Sequence, residues 1–155
     1  AKLDEISDCV EKHRKLYADY YQELWHVKEL ITGYEKGKKI IRLQTRIVDE
    51  YKNAYGLFKQ DKHFTQGELD YMYNVYSGIL DESLKNVDQV LLVVNAFVTQ
   101  MSDGQRLNII TTAAKGMERN YSDLKEFNNQ NIQLSLQRGA EAGDVETVKQ
   151  LYGLP

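Results

Sequence analysis

The side chains that could carry out chemistry are few, and they share no regular spacing. The chain has three histidines, His13, His26 and His63, and one cysteine, Cys9. Cys9 and His13 stand four residues apart, which would bring them together on a helix as a nucleophilic cysteine and its base require. A small cysteine beside a packed helix face explains the same spacing, because cysteine ordinarily behaves as a small apolar residue. We favour this packing role.

Glu23 and His26 match half of the Glu-x-x-His signature that carboxylate-bridged di-iron sites use in helix bundles. Such a site needs a second Glu-x-x-His and two further carboxylates, and the sequence has no second copy. The sequence also lacks a phosphate-binding P-loop, a dinucleotide fingerprint and a nucleophile elbow. We therefore predict no catalytic residues, no metal, no cofactor and no enzymatic activity. A metalloenzyme built around Glu23 and His26 is the disfavoured alternative.

Composition limits the remaining classes of function. The chain has 155 residues, of which 42% are hydrophobic and 28% charged, which predicts one globular domain over residues 1–155. A net charge of −3 argues against nucleic-acid binding through clustered basic residues. The longest apolar run, around residues 90–98, is too short to cross a membrane.

The pattern of apolar residues predicts an all-α protein. The single proline of the chain is its last residue, and apolar residues recur at helical spacing from Leu3 to Tyr34. We predict a helix over about 3–59 that is kinked or broken near Gly33–Gly37, with a tight hairpin there as the competing interpretation. The same register continues to Ile41, Val48 and Tyr55 but places polar residues where further apolar ones belong. The apolar face therefore weakens beyond Tyr34.

Capping patterns define the later helices. Thr65 with Glu68, and Ser102 with Gln105, have the spacing of capping boxes, which predicts helices over about 66–101 and 103–142. Gly143 followed by Asp144 predicts a helix end and a new N-cap, opening a short helix over about 145–152. The helix over 66–101 is apolar around half its circumference, so we expect it to lie between two neighbours. The fold class is an elongated bundle of three to four long amphipathic helices in antiparallel arrangement, plus a short C-terminal helix.

A few side chains outside the predicted core are candidate partner contacts. Tyr21 and Trp25 lie one turn apart beside the apolar face, and Tyr71 lies nearly opposite the apolar face of its helix. Asn128 and Asn131 belong to a polar stretch that is either a recognition strip or a solvated helix end. Packing against a third layer of the same chain would explain the aromatic residues equally well.

Several long strings of residues resemble the TraI-type transfer proteins of Bacteroides conjugative transposons. The strings are residues 4–8, 16–25, 58–61, 64–68, 75–86, 127–138 and 148–153, so the resemblance extends over nearly the whole length of the chain. The resemblance implies a non-enzymatic component of a type IV secretion-like conjugation apparatus. It also implies a periplasmic or envelope-associated location, with a signal peptide removed from the chain. The expected partners are other protein subunits of the apparatus, and self-association is compatible with the same surface. A cytosolic coiled-coil adaptor is the alternative that the helical periodicity equally allows.

Overall fold

Most of the described part of the chain is helical. The computed structural model describes residues 3–4, 7–8, 11–12, 14–15, 31–95 and 101–155, and none of these residues lies in a strand. Four helices follow one another: α1 Ile31–Gln60, α2 Gln66–Asn95, α3 Asp103–Ala142 and α4 Val145–Tyr152. The described residues before residue 16 are also helical. The predicted all-α class is therefore confirmed.

The long helices form an up-and-down bundle in which α3 is central. α3 packs against both α1 and α2, α1 also packs against α2, and α4 packs on α3. Contacts across α1 and α2 pair Gln44 with Ser83 and Tyr55 with Leu69, so these helices are antiparallel. α2 has two helical neighbours, as the width of its apolar face predicts.

The predicted helix over about 3–59, kinked or broken near Gly33–Gly37, is not a single straight helix. α1 is described from Ile31 and is helical through both glycines, so the competing hairpin does not lie there. Asp8 lines one groove with Val48, whereas about 60 Å would separate these residues along a straight helix. The described residues before 16 therefore lie alongside α1.

This arrangement also corrects the predicted register of α1. The buried face contains Ile40, Ile47, Tyr51 and Phe58, whereas the register carried over from the first apolar face pointed to Ile41, Val48 and Tyr55. Val48 is also buried, on the side that meets the N-terminal residues. The weakened apolar face after Tyr34 was therefore a sign of a new helix with its own register.

The capping predictions agree with the structure at α2 and α3. The Thr65 N–H donates to a Glu68 carboxylate oxygen at 2.9 Å, and the Glu68 N–H donates to the Thr65 hydroxyl at 3.2 Å. Ser102 and Gln105 form the same reciprocal pair at the start of α3. Gly143 ends α3 with φ of 75°, a left-handed conformation that glycine adopts without a Cβ clash. Asp144 precedes α4 but makes no side-chain cap, because its carboxylate binds Lys62 instead.

The core is a continuous cluster of aliphatic and aromatic side chains from α1, α2 and α3. Tyr76 lies at its centre, with the rings of Tyr51, Tyr55 and Phe127 at centroid distances of 5.8, 5.4 and 5.4 Å. No described helix is long and apolar enough to cross a membrane.

Gly139 sets how closely α4 packs on α3, so a side chain there should loosen α4. A Cβ at Gly139 would lie 2.8 Å from a methyl carbon of Val148. We expect Gly139→Ala to lower the free energy of unfolding by about 1–3 kcal/mol in urea denaturation. Gly78→Ala is the matched control, because a Cβ there meets nothing within 4 Å. It should raise stability by about 0.5–1 kcal/mol through helix propensity. Equal behaviour of the two variants would contradict the close approach.

Candidate functional site

The partner residues predicted from the sequence do not form one surface in the described part of the chain. Tyr71 is 63% exposed on α2, and its ring lies 6.4 Å from that of Phe127 on α3. Tyr21 and Trp25 lie outside the described residues. The same holds for Cys9, His13, Glu23 and His26.

Asn128 is inside the bundle and is not part of a surface strip. It is only 2% exposed. Its amide oxygen accepts a hydrogen bond from the Tyr76 hydroxyl at 2.5 Å, and its amide nitrogen donates to the Glu50 carboxylate at 3.3 Å. Asn131 is half-buried and donates to the Phe127 carbonyl at 2.9 Å. Sequence reasoning missed the inward role of Asn128, because a polar residue on a helix is exposed far more often than buried.

Three further side-chain hydrogen bonds join the helices. The Gln44 amide donates to the buried Ser83 hydroxyl at 3.0 Å, which links α1 to α2. Asn86 donates to Asn120 at 2.9 Å, and Asn120 donates to Glu82 at 3.0 Å, which links α2 to α3. Polar side chains therefore recur along the length of the helix interfaces.

A polar cluster lies where the loop between α1 and α2 meets the ends of α3 and α4. Its centre is Asp61, which is 5% exposed. One carboxylate oxygen accepts from the Ser135 and Tyr152 hydroxyls, each at 2.5 Å. The other accepts from the backbone N–H of His63 at 2.9 Å and lies 2.8 Å from its Nδ1. Four contacts from three parts of the chain thus meet one carboxylate.

Local structure places Asp61 at this position. α1 ends at Gln60, and the Asp61 N–H donates to the Phe58 carbonyl at 3.1 Å. The Phe64 N–H then donates to the Asp61 carbonyl at 3.3 Å, which closes a second turn. The carboxylate that these turns position is directed inward and is buried.

The environment controls ionisation in this cluster. Burial alone would raise the pKa of the Asp61 carboxyl, but hydrogen bonds from Ser135, Tyr152 and His63 together lower it below its ordinary value. Burial, followed by the hydrogen bond to Asp61, raises the pKa of the Tyr152 hydroxyl. Asp61 is therefore a carboxylate at neutral pH, and Tyr152 stays a donor.

The residue types at this cluster match a Ser-His-Asp triad, but the connections do not. In a triad the serine hydroxyl bonds to the histidine, and the carboxylate orients the far side of the ring. Here the Ser135 hydroxyl donates to Asp61, so the serine and the histidine share the carboxylate. Asp61 therefore joins α3, α4 and the loop, which is a structural task.

An ion pair closes the outer side of the cluster. Arg138 on α3 donates to both carboxylate oxygens of Glu68 at 2.6 and 2.9 Å, and to the His63 carbonyl at 2.7 Å. These bonds, together with that from the Thr65 N–H, lower the pKa of Glu68 to about 2. The capping carboxylate of α2 therefore also fixes the end of α3.

Neither the contacts of Asn128 nor the Asp61 cluster could be found from residue spacing along the chain. Asp61 is 74 residues from Ser135 and 91 from Tyr152. The available signal was a polar residue at a core position of a helix, as at Ser135 and Asn128. Among the described residues no group of three or more histidine, cysteine or acidic side chains could hold a metal ion.

The hydrogen bond from Tyr76 to Asn128 predicts that truncating the Asn128 side chain will destabilise the fold. Asn128→Ala leaves the fully buried Tyr76 hydroxyl without its acceptor. We expect a loss of about 1–3 kcal/mol in the free energy of unfolding, measured by urea denaturation. The matched control is Asn129→Ala on the exposed face, which should stay within about 0.5 kcal/mol of the parent. The internal role of Asn128 would be refuted by equal denaturation midpoints.

The pair of Glu68 and Arg138 predicts an acid-dependent part of stability. Because the pKa of Glu68 is lowered from 4.5 to about 2, its contribution is present above pH 4.5 and disappears as the pH falls toward 2. Glu68→Gln should cost about 1 kcal/mol at pH 7 by thermal or urea unfolding, and less as the pH falls through that window. Asp70→Asn, on the same turn but exposed, is the control. A cost of Glu68→Gln that stays constant from pH 7 to 2.5 would exclude this assignment.

Comparisons with known proteins assign no family to this arrangement. No family model matches the chain, and neither the curated proteins nor the solved structures gave a match.

Proposed function

We propose that the protein is a non-enzymatic structural or assembly component of a bacterial conjugative DNA-transfer apparatus, acting through protein contacts in the cell envelope. The resemblance of its residue strings to TraI-type transfer proteins supports a role in the DNA-transfer apparatus. The helical bundle supports a role in which extended helix surfaces bind other subunits.

The proposal depends mainly on one observation, which is that several polar side chains point into the bundle. The Asp61 carboxylate, the Ser135 hydroxyl and the Asn128 amide are all buried, and each bonds one helix to another part of the chain. The polar groups of the Asp61 cluster thus hold the bundle together. What the bundle offers to a partner is its outer surface, where Tyr71 is the most exposed large aromatic residue of the described part.

Deleting the gene tests whether the protein is a component of the DNA-transfer apparatus. Donor cells that lack it should transfer DNA at a frequency at least about tenfold below the parent, and the intact gene supplied in trans should restore transfer. Parental transfer by the deletion strain would rule the proposal out.

Tyr71 tests the contact surface separately. Because the ring is exposed, Tyr71→Ser should leave the unfolding midpoint nearly unchanged. It should weaken complementation by several-fold if the ring is an interface anchor, since a truncated anchor costs about 2 kcal/mol or more. Asn74→Ser, one turn along the same exposed side of α2, is the matched control. Full complementation by Tyr71→Ser would show that Tyr71 is not part of the interface. Whether the protein belongs to the transfer apparatus would still be decided by the gene deletion.

Fractionation of cells that express the complete gene product distinguishes an envelope location of the protein from a cytosolic one. Release of the chain with the periplasm, with a shortened N-terminus, supports the envelope role. Retention in the cytosol would instead favour a coiled-coil adaptor.

A further inference from the structure

The C-terminal helix α4 is held by a small set of contacts. Val148 packs on Gly139, and the Tyr152 ring lies 5.8 Å from that of Phe58. The Tyr152 hydroxyl donates to Asp61 at one end of α4. At the other end, the residue before α4, Asp144, meets the loop between α1 and α2. α4 is therefore a strap whose two ends are both tied by polar groups.

His63 lies between the two carboxylates that tie this strap. Its Nδ1 is 2.8 Å from the Asp61 carboxylate, and its Nε2 is 3.4 Å from a carboxylate oxygen of Asp144. The side chain is only 9% exposed. Nε2 is buried and has no hydrogen-bond partner. A buried nitrogen without a partner is uncommon and calls for a physical explanation.

The tautomer explains the unpartnered nitrogen. A carboxylate only accepts hydrogen bonds, so the neutral ring carries its hydrogen on Nδ1, facing Asp61. Nε2 is then an acceptor that faces a second acceptor, the Asp144 carboxylate. Protonation reverses this situation, because an imidazolium donates from both nitrogens. The charged ring could bond to both carboxylates at once.

Other charged groups around the ring act in both directions. Lys62 binds the same Asp144 oxygen at 2.9 Å and opposes a positive ring, but its side chain is 66% exposed and its charge is screened by solvent. Arg138 donates to the His63 carbonyl, and its charge is paired with Glu68 on α2. From α4 the nearby titratable group is the neutral hydroxyl of Tyr152. Three carboxylates and two cations thus surround the ring.

We propose that α4 is a proton-sensitive strap: protonation of His63 adds a hydrogen bond from Nε2 to Asp144 and tightens the docking of α4 on the loop between α1 and α2. The added stability is present in acid and is lost in the pH window in which the ring gives up its proton. Asp144 remains an acceptor in this window, because its pKa is lowered mainly by Lys62.

Hydrogen exchange of the full chain measures the strap directly. The readout is the protection factor, corrected for intrinsic exchange, of the amides of Val148, Gly153 and Leu154, which bond within or just after α4. We expect protection to be on the order of tenfold greater at pH 5.5 than at pH 7.5, the effect of one charge-assisted hydrogen bond. Amides in the middle of α2 serve as the internal reference.

Two variants separate His63 from the other charges. His63→Gln keeps a polar side chain but does not titrate, so its ratio of protection at the two pH values should fall to about 1. Lys62→Met removes the competing cation and should preserve or increase the ratio. The 15N shifts of the His63 ring give a second readout, with a hydrogen on Nδ1 alone at pH 7.5 and on both nitrogens at pH 5.5.

The outcomes that overturn the proposal are distinct. Equal protection of α4 at both pH values in the parent would show that the ring does not tie the strap. A ratio in His63→Gln as large as in the parent would assign the pH dependence to another group. A neutral ring with its hydrogen on Nε2 would remove the acceptor-to-acceptor contact on which the proposal depends.

Discussion

The buried carboxylate of Asp61 is the constraint around which the C-terminal end of the bundle is organised. Taking a carboxylate out of water costs several kcal/mol unless hydrogen bonds replace the lost hydration. Asp61 recovers them from its own loop, from Ser135 on α3 and from Tyr152 at the end of α4. No single helix can supply all of these donors. The charge is therefore satisfied only when the loop and both helices are in their final positions.

Polar contacts further along the bundle set the register of the long helices. Apolar faces pack in more than one register at similar cost, because aliphatic contacts have little directionality. The bonds of Gln44 to Ser83 and of Tyr76 to Asn128 are directional, and a slipped register would leave both pairs buried and unsatisfied. We infer that these polar contacts contribute specificity more than net stability. The same reasoning explains why hydroxyl and amide groups lie in a core that aliphatic side chains could fill.

Sequence patterns predicted the features that depend on neighbours in the chain. The capping boxes at Thr65 and Ser102 are local, and so are the helix starts that they mark. The reversal of the chain before α1 was missed because an apolar spacing of three and four residues looks the same on both sides of a change of direction, and glycine within a helix is only a weak breaker. The Asp61 cluster was missed because its members come from distant parts of the chain, joined only by the packing of α3 and α4. Asn128 was placed on the surface for the same reason.

The ionisable groups of the Asp61 cluster make their contacts within the chain itself. A catalytic carboxylate or imidazole must reach a substrate, and its environment is arranged to hold a pKa near the working pH. Here the hydrogen bonds around Asp61 hold its pKa low, and the carboxylate is turned toward its own chain. Protonation of such a group changes the stability of the contacts it makes rather than the rate of a reaction. Acidity would thus act on this protein through the docking of its helix ends, where the loop, α3 and α4 share one carboxylate.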